Sequence, residues 1–363
     1  MADLSDAIDP IVAAIYEQYE KRGKSELSRT YLGASIIGKE CKRALWYDFR
    51  WATRESFDGR MYRLFQTGFA EEGRFVADLR AIGAEVYDLD PSTGKQFGYQ
   101  DHGGHMRGHM DGCARNFPTG GGKWHVCEYK THSAKSFADL KKHGVQKSKP
   151  QHYDQMQWYM GKTGMERALY LAKNKDNDEL YSERIKFDPV RFAQIQAKGE
   201  SIIFAGEPPP KLTEDPAFYL CKFCNHHGVC HGGQVPAVSC RTCVHATPER
   251  QPSEEKPEGG RWSCAKHGPE IPVYAQRQGC NDHLPLPFLL TYAEAIDAGE
   301  GWIEFKRKDN GKEFVVLANG KSHPYPQFPI YTSQEISAAK DHRAICDQGI
   351  EEIRQQFGGT LVG

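Results

Sequence analysis

The 363-residue sequence contains no long apolar run, and nothing in it reaches the roughly 20 residues that a membrane-spanning helix needs, so no membrane partner is expected. It also has little net charge. With 47 Lys and Arg against 48 Asp and Glu, the formal charge is −1, and the global basic field that marks many nucleic-acid binders is missing. No GxxxxGK[ST] phosphate loop occurs, which excludes a self-contained P-loop nucleotide hydrolase. The opening MADLSDAIDP lacks the basic region of a secretory signal, and a cytoplasmic protein is expected. Internal repeats and low-complexity segments are absent too. What the sequence does have is 39% apolar residues, enough for a packed globule of more than one domain. It also has 11 cysteines, which in a reducing compartment read as metal ligands rather than disulfides.

The chemistry concentrates around Asp111, Glu128 and Lys130. GHMDG, a Pro- and Gly-rich stretch at 118–122 and then CEYKTH predict two strands, Met106–Gly112 and Lys123–His132, joined by a turn. Strand alternation puts Glu128 and Lys130 on one face. Two carboxylates converging from adjacent strands suit Mg²⁺ or Mn²⁺, hard cations that prefer oxygen, and an ammonium beside them can orient water or offset phosphate charge. Upstream, a helix is predicted over Tyr62–Ala81, with Phe65, Phe69, Val76 and Leu79 as its apolar face and Glu72 in the same stripe. A carboxylate on a core-facing stripe needs a partner, and a metal is one; Glu71, at the edge of the stripe, is the second choice. Downstream, Gln151, Gln155 and Tyr159 fall at i, i+4 and i+8 of another helix.

In this order and spacing, Glu72, Asp111, Glu128-Tyr129-Lys130 and Gln155 to Tyr159 resemble the helix acid, Asp, ExK and QxxxY motifs of RecB-like PD-(D/E)XK nucleases. The resemblance covers about the first two-thirds of the chain. It implies an α/β (α+β) restriction-endonuclease-like core, a mixed central sheet flanked by helices. It further implies that Glu72, Asp111 and Glu128 hold the metal, that Lys130 assists the attacking water, and that Gln155 and Tyr159 contact DNA or steady the site. The implied activity is a DNA exonuclease acting on ends or single strands in recombination, repair or phage DNA processing. Helicase or recombinase activity would come from a partner. A DNA-binding or scaffold protein with a vestigial site is the rival reading, and an RNA substrate remains open.

Cys41 stands alone near the start, and Cys221-x2-Cys224-x5-Cys230 follows the nuclease motifs. This layout is similar to the cysteine clamp of CRISPR-associated RecB-like nucleases and AddB-type nuclease domains, and implies a 4Fe-4S cluster on Cys41, Cys221, Cys224 and Cys230. Those four leave Cys240, Cys243, Cys264 and Cys280 as a second set suited to tetrahedral zinc, with His245, His267 or His283 able to replace one ligand. A zinc ribbon pairing Cys221 and Cys224 with Cys240 and Cys243 is the alternative, and a redox-sensing cluster is another. Cys113, Cys127 and Cys346 read as small buried hydrophobes.

Lys135, Lys141, Lys142, Lys147 and Lys149 face a single Asp139 within Ser133–Pro150, a local cationic stretch able to neutralise phosphates. Phe137, Tyr153 and Trp158 lie near enough in sequence to be candidates for stacking on unpaired bases, with core packing the other use of Trp158. The expected organisation is an N-terminal amphipathic helix in 1–30, about Asp6–Lys21 with Ile8, Ile11, Val12, Ile15 and Tyr19 on the packed face. A nuclease domain at 31–232 follows, then a cysteine-rich zinc module at 233–290 and a C-terminal hairpin and helix at 291–363. Within the last two, Thr247–Gly260 is expected as a loop, Trp302–Leu317 as a hairpin and Ser333–Phe357 as one helix.

Overall fold

A computed structural model describes residues 9–25, 27–54, 56–253, 259–268, 270–324, 327–339 and 341–361. The first half runs α1 (Pro10–Ser25), β1 (Leu32–Gly33), α2 (Lys42–Arg50), α3 (Gly59–Ala81), β2 (Glu85–Tyr87), β3 (Gly98–Asp101), β4 (Met106–His109), β5 (Gly112–Arg115), β6 (His125–His132), α4 (Ala134–Ser148), α5 (Pro150–Thr163), β7 (Arg167–Asn174), β8 (Leu180–Lys186) and α6 (Pro189–Ile203). Its centre is the expected mixed sheet, in the order β2-β5-β6-β7-β8. Only β6 and β7 pair in parallel. Parallel neighbours need a long crossover, and α4 and α5 supply it. On β6 the alternation is clean: Cys127 and Tyr129 join the α3 layer, where Phe75 stacks on Tyr129 at 5.4 Å, while Val126 belongs to the opposite core. Glu128 and Lys130 share the side of Val126.

The predicted strand Met106–Gly112 splits. β4 belongs to a small sheet ordered β1-β4-β3, β5 to the central one, and Met110 and Asp111 carry the chain between them. The hairpin is therefore β5–β6, with Gly112 opposite Cys127. Gly112 sits at φ +153°, where a Cβ would lie 2.8 Å from the Tyr87 carbonyl oxygen, so only glycine allows this switch between sheets.

The second half contains α7 (Tyr219–Lys222), α8 (His227–His231), β9 (Ala246–Pro252), β10 (Gly260–Cys264), α9 (Val273–Gln278), β11 (Ala293–Gly299), β12 (Trp302–Arg307), β13 (Glu313–Leu317), β14 (Ile330–Tyr331), α10 (Ser333–Ala338) and α11 (Gln348–Phe357). The hairpin expected at Trp302–Leu317 is β12–β13, extended by β11 and β14 into a four-stranded sheet. Two expectations change. Much of Thr247–Gly260 is strand, since β9 pairs antiparallel with β10; residues 254–258 lie outside the described set. The predicted helix Ser333–Phe357 is broken into α10 and α11, with a 3-10 turn at His342–Ala344 and Cys346 at φ +62° between them.

One buried core runs from Leu32 through Trp46 and Tyr170 to Trp262, Leu284, Phe305 and Cys346, so the segments 31–232, 233–290 and 291–363 share an interior. Arg241 is the bolt. Buried beside Trp51, Trp262 and Phe49, its guanidinium lies 3.8, 4.7 and 5.4 Å from their ring centres. It donates to the carbonyls of Phe49 and Thr30 and to the Gln276 side chain. Helix α1 packs on α3 through Tyr16, Glu20 and Gly23: Glu20 accepts from the Gly59 amide at 3.0 Å, and Gly23 faces the Tyr62 ring. Its expected apolar face is not the packed one. Ile11, Val12 and Ile15 are exposed, and Ile8 lies outside the described residues. No described helix is long and apolar enough to cross a membrane.

Candidate active site and cysteine clusters

Two carboxylates, Asp111 and Glu128, contact one lysine, and a third, Glu72, acts on it from farther away. Glu128, wholly buried on β6, contacts the Lys130 ammonium through Oε1, while Oε2 has no hydrogen-bond partner among the described residues. The same ammonium lies 3.5 Å from Asp111 Oδ2, and that oxygen accepts the Tyr129 amide at 2.9 Å. Lys130 also donates to the Tyr129 carbonyl at 3.0 Å. Glu72, half-buried on α3, is close enough to feel the charges of both Asp111 and Lys130.

Burial pushes the Glu128 carboxyl up to about 8, with Asp111 and Glu72 adding to the shift and Lys130 opposing it. Partial burial and the Asp111 charge push Glu72 up to about 7. Burial works against the Lys130 charge, but the surrounding carboxylates raise its pKa. When all four groups are ionised, the three carboxylates and one ammonium leave a charge of −2. A buried carboxylate oxygen without a partner and an all-oxygen donor set with that residual charge fit a hard divalent cation.

Glu71 turns elsewhere. Its carboxylate takes Lys173 at 2.8 Å and Arg74 at 3.5 Å, so its charge is already compensated. The stripe predicted for α3 is also corrected: Phe75, Val76 and Leu79 are buried, whereas Phe65 is 39% and Phe69 63% exposed.

Gln155 and Tyr159 are buried on α5 rather than open to a polymer. The Tyr159 hydroxyl donates to the His109 carbonyl at 2.7 Å, two residues before Asp111. Gly108 makes room for it, since a Cβ there would lie 2.5 Å from that hydroxyl. Phe137 and Trp158 are buried and present no free face for a base, while Tyr153 is half-buried against the core. Of the lysines, Lys135, Lys142 and Lys147 are exposed, Lys141 pairs with Glu179, and Lys149 lies 3.5 Å from Asp139.

Cys41, Cys221, Cys224 and Cys230 line one cavity of about 570 Å³. Burial raises the pKa values of Cys221, Cys224 and Cys230, and the nearness of Cys41 adds to each. Cys41 caps α2, accepting from the Ala44 amide. Asp48 on the same helix is held by His226 from the trio's segment and by Lys39, both at 2.9 Å. The cavity has room for a multi-atom cluster. Unforeseen in the sequence, the Tyr170 hydroxyl lies 2.8 Å from His132 Nε2, at the end of β6, and 2.9 Å from His152 Nδ1, on the cavity wall.

In the second set, burial and the neighbouring Cys280, Cys243 and Cys264 push Cys240 up to about 12. Cys264 opens a tight turn closed by paired backbone hydrogen bonds with Gly268. Among the described residues, the one group of three ligand atoms mutually within 4.8 Å is His267, Cys280 and Asp282. Of the three histidines considered, His267 is thus the one beside a cysteine, 3.7 Å from Cys280; the His283 Nε2 lies 3.3 Å from the Thr242 hydroxyl. Cys113, Cys127 and Cys346 are buried, as expected.

No protein-family model matches the sequence, and no curated protein is significantly similar to it. Among solved structures the chain is similar to SSO0001, at 16% identity over 61% of this chain and 96% of that one, with a TM-score of 0.34. It is also similar to the alkaline exonuclease LHK-Exo from Laribacter hongkongensis, at 15% identity over 51% and 90%, TM-score 0.34. The LHK-Exo complex with dAMP gives 15% identity over 52% and 90%, TM-score 0.33.

Proposed function

We propose that this chain is a Mg²⁺- or Mn²⁺-dependent phosphodiester hydrolase acting on DNA ends or single strands. The observation that carries the reading is the buried, unpartnered Glu128 oxygen within a carboxylate set whose charge one lysine does not balance. A bound divalent ion would supply Lewis-acid polarisation of the phosphate and a hydroxide-like water at neutral pH. Asp111, Glu128 and Glu72 would hold that ion, Asp111 being kept in place by the Tyr129 amide. Lys130 would orient the attacking water and offset charge developing on the phosphate oxygens. Tyr159 would act from behind by fixing the backbone that leads to Asp111. DNA over RNA, and exonuclease over endonuclease, come from the RecB-like resemblance. So does a 4Fe-4S cluster as the occupant of the Cys41, Cys221, Cys224 and Cys230 cavity. For the second cysteine set the proposed occupant is zinc, with His267 or Asp282 within reach as substitute ligands.

The test is cleavage of linear and circular single-stranded DNA with Mg²⁺ or Mn²⁺, comparing the wild type with Asp111→Asn and Glu128→Gln. Degradation of the linear strand alone, reduced on the order of 10³-fold in either variant, is expected. Wild-type cleavage by Asp111→Asn would defeat the assignment.

A further inference from the structure

The aromatic face at the start of α3 is left partly open by the fold. Phe65 and Phe69 are 39% and 63% exposed, and they precede Glu72 by seven and three residues, so the three side chains stand on one face of the helix. At 1.5 Å rise per residue, Phe69 lies about 4.5 Å and Phe65 about 10 Å from Glu72 along the axis. Successive nucleotides of a stacked strand rise about 3.4 Å along its axis, so the span from Glu72 to Phe65 corresponds to about three stacked nucleotides. Phe65 is held from behind: Phe57 and Tyr62 meet its ring edge-to-face at 5.1 and 6.2 Å, and Tyr62 is itself seated against Gly23 of α1. Along this stretch of the helix the side-chain charge is of one sign. Residues 59–70 carry Arg60 and Arg63 and no carboxylate, and neither arginine forms an ion pair among the described residues.

We propose that Phe65 and Phe69 form a stacking platform for unpaired bases of a nucleic-acid strand whose phosphate reaches Glu72, Asp111 and Glu128. This rests on the nuclease reading and deepens it, because it names a single-stranded segment as what approaches the site. Continuity with the carboxylates and the positive stretch favour a strand over a second protein. Flat rings with one free face accept any base, so the platform binds without reading sequence.

The experiment measures binding of a single-stranded oligonucleotide carrying 2-aminopurine near its end, with Ca²⁺ present so that binding is read apart from cleavage. The wild type is compared with the double variants Phe65→Leu/Phe69→Leu and Phe65→Trp/Phe69→Trp. Thermal midpoint and Mn²⁺ titration check that fold and metal site are intact. Quenching of the probe by the wild type, at least about tenfold weaker binding by the leucine variant and retained binding by the tryptophan variant are expected. Equal binding by the leucine variant would overturn the platform and leave the nuclease reading standing. A wild-type dimer that the leucine variant dissolves, with strand affinity unchanged, would overturn it in favour of a contact between copies. Failure of the wild type to cleave DNA with any divalent ion would count against the nuclease reading itself.

Discussion

Glu71 and Glu72 are adjacent, identical in type and opposite in role. The Glu71 carboxylate is spent on Lys173 and Arg74, whereas Glu72 has no such partner among the described residues and feels the charges of Asp111 and Lys130. Glu72→Gln is therefore expected to abolish metal-dependent cleavage and weaken Mn²⁺ binding, while Glu71→Gln keeps both and lowers the thermal midpoint slightly, at a cost of about 1 kcal/mol. Parallel Mn²⁺ titrations and melting curves check this. The same residues set a pH dependence. Glu72 and Glu128 are raised from 4.5 to about 7 and about 8, so between these values the folded chain holds more protons than the unfolded one. Without added divalent ion, stability should then fall as pH rises from about 4.5 to 8. Metal must displace those protons, so the stabilisation by Mn²⁺ should be larger at pH 8 than at pH 6. Melting curves at both pH values test it. Glu128→Gln should flatten the profile.

At the scale of elements, helical spacing made α3 and α5 legible but not what their faces touch. The QxxxY spacing put Gln155 and Tyr159 on one line of α5. Only packing shows that Tyr159 buttresses the carbonyl of His109, at the passage from β4 to β5 that carries Asp111. Tyr159→Phe removes that hydrogen bond together with the hydroxyl's contact to the Gln155 side chain. A loss of about 1 kcal/mol of positioning should lower kcat by roughly fivefold to tenfold with little change in KM. A rise in KM with unchanged kcat would instead place Tyr159 in substrate binding. On α3 the sequence period was read as one core stripe, yet among the described residues the first half of the helix meets α1 and Phe57 and leaves Phe65 and Phe69 exposed. Apolar spacing reports which side chains share a face and is silent about whether a neighbour exists.

For the whole molecule, two devices join distant parts of the chain. The cavity of Cys41, Cys221, Cys224 and Cys230 lies between α2 and the segment after α6, which the His226–Asp48 pair joins, and Arg241 fastens the second cysteine set to α2. Cys41→Ser is expected to lower bound iron in anaerobically purified protein and to cost thermal stability, measured by elemental analysis and calorimetry. Iron at the wild-type level would remove Cys41 from the proposed cluster. Arg241→Ala leaves a void among three aromatic rings and orphans the carbonyls of Phe49 and Thr30. A loss of about 3 kcal/mol or more is expected by denaturant titration.

The sequence alone determined the grouping of Asp111, Glu128 and Lys130 and the burial of Cys113, Cys127 and Cys346, because these follow from strand alternation, turn chemistry and apolar composition, all local properties, while the mixed α/β core was legible only through the resemblance that the order of the motifs carries. The break of the chain at Asp111 between two sheets, the choice between Glu71 and Glu72, the burial of Phe137 and Trp158 against the exposure of Phe65 and Phe69, and the single core beneath three predicted segments were decided only by tertiary structure. Each depends on which surfaces meet across long stretches of sequence, and spacing along one element carries no record of its partner.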